Sequence, residues 1–164
     1  MADTQQNLKD AFAGESQANR RYLAFAIVAE REGFPEVAKR FRAAAESETI
    51  HALAHLRTLG EVGSTAENLK AAMGGENYEH TSMYPEFMQV AESEGQAEAK
   101  ESFRRANEAE KFHEQMFSDA LENLESLTES KFYVCQECGM TYRDEVPDEC
   151  VVCGFPREQI LEVH

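Results

Sequence analysis

Residues 22–51 of this chain recur at 84–113. Shifted by 62 positions, the two stretches share fourteen identities in thirty, including Tyr22/Tyr84, Phe25/Phe87, Gly33/Gly95, Phe41/Phe103, Arg42/Arg104, Glu48/Glu110 and His51/His113. A duplication of this length constrains the fold before any local reading, because one supersecondary unit must form twice. The unit is helical. Apolar residues recur at helical spacing (Phe12, Leu23, Ile27; Val37, Phe41, Ala44; Phe103, Phe112, Phe117, Leu121, Leu124). Turn-forming runs at 32–35, 59–64 and 93–96 divide the pattern, which predicts helices over 4–32, 35–59, 65–94 and 96–129. Pro35 suits a first helical turn, and Ser64 with Glu67 makes a capping box. Two duplicated hairpins pack naturally as a four-helix bundle with a pseudo-two-fold axis. The chain is therefore expected to be mainly α over 1–130. Residues 131–164 are turn-rich and cysteine-bearing, and are expected to form a small separate metal domain.

The repeat slips once. Gly14–Glu15 matches Gly75–Glu76 at an offset of 61, so one extra residue lies between Glu76 and Tyr84 compared with Glu15 and Tyr22. A helix absorbs an extra residue as a single-turn π-bulge, and such bulges cluster at functional sites. A bulge is predicted between Glu76 and Tyr84.

Charge narrows the function. Lys+Arg is 16 against Asp+Glu 31, a formal net charge of -15, which repels nucleic-acid phosphates and argues against nucleic-acid binding. The longest apolar run, Tyr22 to Ala29, is far short of the roughly 20 residues that span a bilayer. The N-terminus lacks a basic start followed by an apolar stretch. No membrane association is expected, and the expected compartment is the cytoplasm.

The acids are not distributed at random. E-x-x-H occurs at Glu48–His51 and again, in the duplicate, at Glu110–His113. Residues three apart share a helix face. One such pair on an acidic helix is commonly surface decoration. Here the other two helices each carry mid-helix glutamate on an apolar face: Glu15, and Glu76 with Glu79. One Glu from each of two helices plus Glu-x-x-His from each of the other two is the pattern of a carboxylate-bridged two-metal site. Carboxylate and imidazole suit iron or manganese. His55, His80 and His164 have no matching partner pattern and are not expected to be ligands. Tyr22 and Tyr84 lie one or two turns from the glutamates, as core aromatics or as hydroxyls that orient a ligand carboxylate.

All four cysteines lie in two C-x-x-C-G knuckles, Cys135/Cys138 and Cys150/Cys153, with eleven residues between Cys138 and Cys150. Four thiolates so spaced make a tetrahedral metal site. The spacing alone slightly favours zinc, as a structural ribbon, over a single iron, as a one-electron carrier.

The segments GESQANRRY (14–22), ESETIH (46–51), GENYEHTSMYPEF (75–87), EAEKFH (108–113) and both knuckles resemble the rubrerythrin family, over essentially the whole chain. The resemblance implies a ferritin-like four-helix bundle followed by a rubredoxin-like domain. It implies two non-haem irons in the bundle, oxo-bridged when oxidised, and one iron in the four-cysteine site, with zinc the other possibility there. Glu15, Glu48, His51, Glu76, Glu79, Glu110 and His113 are then the di-iron ligands. Glu48 and Glu110 would bridge, and His51 and Glu79 would alternate with redox state. Cys135, Cys138, Cys150 and Cys153 would hold the mononuclear iron, and Tyr22 and Tyr84 would stand behind the ligands. The second knuckle, CVVCG, lacks the proline often found after its first cysteine. The implied activity is reduction of hydrogen peroxide to water, with electrons reaching the bundle through the tail from an external donor such as rubredoxin or a reductase. The alternative is a ferroxidase or iron-handling protein of the ferritin-like class, which needs no attached electron carrier.

A length argument predicts the assembly. In this bundle type the second and third helices run parallel. Glu48 lies about eleven residues before its helix ends and Glu79 about fourteen after the next begins, a return path of roughly 38 Å at about 1.5 Å per residue. The connector 60–64 spans only about 17 Å when extended. A domain-swapped homodimer is therefore expected, with ligands for each di-iron site coming from both chains, unless the third helix breaks at Gly74–Gly75. Electron transfer is expected between subunits.

Overall fold

The computed structural model describes residues 3–164. The chain forms two compact units, which divide between Gly63 and Ser64.

The first unit is a helical hairpin, α1 (Thr4–Arg31) and α2 (Pro35–Leu59). Asp3 caps α1 by accepting from the Gln6 backbone N–H at 2.9 Å. α2 starts with Pro35 in its first turn and stops at Gly60, whose φ of 75° requires a residue without Cβ strain. The seam is built from alanine: Ala26 and Ala29 on α1, and Ala38, Ala45 and Ala52 on α2, are all buried. The last three recur every seventh residue, so one narrow stripe of small side chains faces α1. Asn19 Nδ2 stitches the helices by donating to the Ala45 carbonyl at 2.7 Å and to Thr49 Oγ1 at 2.8 Å. Large apolar side chains stay outside the seam: Ile27 is 66% exposed and Ile50 58%.

The second unit begins with α3 (Thr65–Tyr78), which opens on the Ser64/Glu67 capping box. A π-helical turn, Glu79–Met83, follows and leads into α4 (Tyr84–Ser93). The backbone stays right-handed helical at Tyr78, Glu79, Met83 and Tyr84, so α3 and α4 form one helix with the π turn inside it. The extra residue of the repeat is absorbed where the sequence places it. Gly74 and Gly75 lie within α3, so the helix does not break there.

α5 (Ala97–Glu122) is the second E-x-x-H helix. It ends seven residues before the expected 129. Asn123 leaves the helical region, and both its backbone N–H and Nδ2 donate to the Asp119 carbonyl, at 3.1 and 2.9 Å. Beyond it Leu124 and Leu127 are exposed, so the apolar spacing that suggested a longer helix has no packing behind it. The duplication is visible in packing. Tyr22, Phe25 and Phe41 form an aromatic cluster in the first unit, and Tyr84, Phe87 and Phe103 repeat it in the second, each with a Phe–Phe centroid distance of 5.5 Å.

The tail is a three-stranded antiparallel sheet of order β2-β1-β3, with β1 Phe132–Cys135, β2 Thr141–Arg143 and β3 Ile160–Glu162. Two arginines of α5 bind it. Arg104 Nη2 donates to the Val152 carbonyl at 2.9 Å, and Arg105 Nη1 to Glu137 at 2.8 Å. The duplicate of Arg104 behaves differently: Arg42 pairs with Glu30 at 2.5 Å. In the second unit Lys100 takes the corresponding Glu92 at 2.7 Å, and Arg104 pairs with Glu101 at 2.7 Å as well as reaching the tail.

The alanine seam gives the first prediction. Ala38 is fully buried, so Ala38→Leu should cost about 1–3 kcal/mol by overpacking, read as a lower denaturant midpoint.

Candidate metal centres

The predicted bundle ligands gather as two triads, one in each unit. In the first, α1 supplies Glu15 and α2 supplies Glu48 and His51, with ligand atoms within 4.8 Å of one another. The i,i+3 spacing puts His51 Nδ1 3.0 Å from Glu48 Oε2. Glu15 and Glu48 share a hydrogen bond. It raises Glu15, aided by burial and the Glu48 charge, whereas Glu48 is lowered by hydrogen bonds from His51 and Glu15. The imidazole favours ionisation of Glu48, so of the two carboxylates Glu15 is the one that takes up a proton more readily.

The second triad is Glu76 of α3 with Glu110 and His113 of α5, again within 4.8 Å of one another. His113 Nδ1 lies 2.7 Å from Glu110 and 3.7 Å from Glu76. Burial first, then the hydrogen bond and charge of Glu110, push Glu76 up to about 7. Glu79, the first residue of the π turn, lies outside this triad. It is close enough that burial and the Glu110 charge raise it and the His113 charge lowers it. The Tyr84 hydroxyl is raised by burial and by Glu110, Glu79 and Glu76, so it remains a neutral donor beside the acids. Tyr22 sits in the aromatic cluster of the first unit, stacked on Phe41 at 6.2 Å.

Two features have no counterpart in the sequence pattern. His80, within the π turn, has its Nε2 2.5 Å from Glu114, which also accepts from Asn77 Nδ2 at 2.9 Å. Glu114 directly follows the ligand-type His113, yet its duplicate is Ala52, so the repeat hides it. His113 also reaches the tail: its Nε2 is 2.9 Å from Thr141 Oγ1 on β2. Thr141 lies three residues after Cys138, and no spacing rule marks it. His55 is half-buried, and its charge lowers Glu15 without placing it in the triad.

The four cysteines form the third cluster. Cys135 Sγ and Cys153 Sγ are 3.7 Å apart, and Cys138 Sγ and Cys150 Sγ 3.5 Å. Four sulfurs around a metal at about 2.3 Å would lie about 3.8 Å apart, so the cage has the right size for a tetrahedral thiolate site. Gly139 and Gly154, with φ of 79° and 73°, close the two knuckles. Burial opposes ionisation of Cys150. The Tyr142 hydroxyl and the N–H groups of Cys153 and Val152 outweigh it and pull the thiol down to about 6.

These acids predict a pH dependence. A divalent metal must displace the proton that Glu76 carries below about 7. Affinity of the metal-free protein for Mn(II) should rise with pH from 5 to about 7 and flatten above that. Glu110→Gln, which removes the neighbouring charge, should lower the Glu76 midpoint; titration calorimetry and carboxyl NMR read both effects.

Known proteins fit this geometry. The rubrerythrin family model matches residues 6–121. A putative rubrerythrin of Methanocaldococcus jannaschii is 36% identical over 96% of this chain and 91% of its own length. Rubrerythrin of Porphyromonas gingivalis is 38% identical over 94% of this chain and 86% of its own. The solved structure of nigerythrin in its fully reduced, all-ferrous state covers 99% of this chain and 88% of its own, at 30% identity and a TM-score of 0.60. Nigerythrin of Nitratidesulfovibrio vulgaris is likewise 31% identical over 96% of the chain. The mainly helical fold with a four-cysteine tail is that of a ferritin-like bundle followed by a rubredoxin-like domain. The chain belongs to the rubrerythrin family.

Proposed function

We propose that the chain is a non-haem di-iron peroxidase that reduces hydrogen peroxide to water. The observation that carries this is the pairing of two carboxylate–imidazole triads with a four-thiolate cage in one chain. Family membership makes the protein an iron-binding oxidoreductase with a C-terminal four-cysteine site; the peroxidase activity is the finer reading. Glu15, Glu48, His51, Glu76, Glu79, Glu110 and His113 would hold two irons, and the cysteines a third. Iron bound there would supply the two electrons that each peroxide requires, and the tail would replace them one at a time.

The protein groups have separable tasks. His51 and His113 turn Nδ1 toward the carboxylates; with a metal on Nδ1, the ring proton of His113 would lie on Nε2 and donate to Thr141 Oγ1, 2.9 Å away. Thr141 in turn donates to the Gly139 carbonyl in the first knuckle at 3.4 Å. This contact offers electrons a short path from the cysteine cage to α5 within one chain, in place of the transfer between subunits expected from sequence. Tyr84 keeps its proton and can orient a ligand carboxylate. An attached electron carrier favours this reading over iron storage.

The full centre would be completed by a second copy, in a domain-swapped homodimer. Each unit holds half of the ligand set. The connector Gly60–Ser64 is short, and α3 runs unbroken past Gly74 and Gly75. Ile27, Ile50 and Leu53 on the first unit and Phe87 and Val90 on the second are exposed, and the side-chain oxygen of buried Asn107, one turn before Glu110, has no partner among the described residues. A second copy would cover such faces. The external electron donor is a rubredoxin or a reductase.

Metal analysis with optical spectroscopy tests the function: about three irons per chain, and a red chromophore that bleaches on reduction and returns with peroxide. Zinc in the tail with iron cores in the bundle would favour storage instead. Glu48→Ala should empty the bundle of iron, keep the tail chromophore and lower peroxide turnover more than about a hundredfold; surviving turnover would sink the mechanism. Complementation tests the assembly. Neither Glu48→Ala nor Glu110→Ala alone should bind bundle iron. Co-refolded in equal amounts, they should recover about a quarter of normal turnover, since half the dimers would carry one intact site. An unswapped dimer recovers nothing.

A further inference from the structure

Tyr142 lies on β2 and is buried beside the cysteine cage. Its hydroxyl oxygen is 3.2 Å from Cys150 Sγ and 3.1 Å from the backbone nitrogen of Val151. The polarity of this pair is fixed by chemistry. A backbone N–H can only donate, so Val151 occupies a lone pair of the phenol oxygen. The single hydroxyl proton is then directed at sulfur, which as a metal-bound thiolate is a pure acceptor. Among the described residues, no other cysteine sulfur receives a side-chain oxygen donor. The Val152 and Cys153 N–H groups also point at Cys150, so this ligand collects three donors.

We propose that the Tyr142 hydroxyl tunes the tail metal, raising its reduction potential by donating a hydrogen bond to the Cys150 thiolate. This rests on the reading that the tail carries iron. Four thiolates and a ferric ion sum to one negative charge, and the ferrous form to two. A donor to sulfur stabilises the more negative form more strongly, so it favours reduction. The tail thus accepts an electron readily from its donor and releases it only to a more oxidising centre. Tyr142 is a positioning residue: it acts through Cys150 and touches neither substrate nor donor.

Tyr142→Phe keeps the ring and removes the hydroxyl. In the iron-loaded protein its midpoint potential should move to more negative values, and the thiolate-to-iron charge-transfer bands should shift to longer wavelength. A purely structural residue would lower iron loading without moving either. An unchanged potential in a fully loaded variant overturns the proposal. If the variant does not load, the unaltered protein decides: with 113Cd in the cage, the Tyr142 hydroxyl proton should show scalar coupling to the metal across Cys150 Sγ, and its absence overturns the proposal. Finding only zinc in the native tail would instead defeat the electron-carrier reading, while the cadmium measurement would still report on the hydrogen bond.

Discussion

Like charges that must stand together need a reason to do so. Glu76 and Glu110 are close enough for burial and mutual repulsion to push Glu76 up to about 7, and the hydrogen bond to Glu48, with burial and the Glu48 charge, raises Glu15. Partly buried carboxylates that repel one another oppose folding unless protons or cations compensate them. Cations compensate best, because one divalent ion offsets two carboxylates and fixes their geometry. The helical frame follows from that demand. An i,i+3 Glu/His pair comes from one rigid turn, and a third carboxylate arrives from the neighbouring helix, so each hairpin makes a triad that could hold a metal ion.

The frame itself depends on small residues. Ala26, Ala29, Ala38, Ala45 and Ala52 are buried where α1 and α2 pack, so the contact is made of small side chains. Ile27, Ile50 and Leu53 therefore lie outside the seam. A hairpin of this kind buries little apolar area by itself. The duplicated unit has kept its aromatic cluster and diverged where the tail attaches. Lys100, standing where the first unit has Ala38, takes Glu92, while Arg104 pairs with Glu101 and binds the Val152 carbonyl.

Much of this was legible in the sequence because helices report their faces at fixed spacing. The duplication located the Glu48/His51 and Glu110/His113 pairs, and the one-residue slip located the π turn at Glu79–Met83. The knuckles were legible because a thiolate cage needs local C-x-x-C geometry. The end of α5 was not: Leu121 and Leu124 continue the apolar spacing, but Asn123 caps the helix and nothing packs on the extension. Contacts between elements distant in sequence were not legible either. His113–Thr141, His80–Glu114 and Tyr142–Cys150 each join residues that no periodicity relates.

The two halves of the ligand set are unequal, and the difference bears on which ligand can move. His113 is held at both ring nitrogens, by Glu110 at 2.7 Å and by Thr141 at 2.9 Å, and its side chain is 25% exposed. His51 has a hydrogen bond at Nδ1 alone among the described residues, and its side chain is 54% exposed. Swinging His113 off a metal would break a contact to the tail; swinging His51 off would break none of that kind. The extra residue of the π turn places Glu79, whose counterpart in α1 is Ala18, beside the second triad, so a spare carboxylate exists only there. Each unit thus carries one loosely tied group: His51 in the first, held at one ring nitrogen, and Glu79 in the second, a carboxylate without a duplicate.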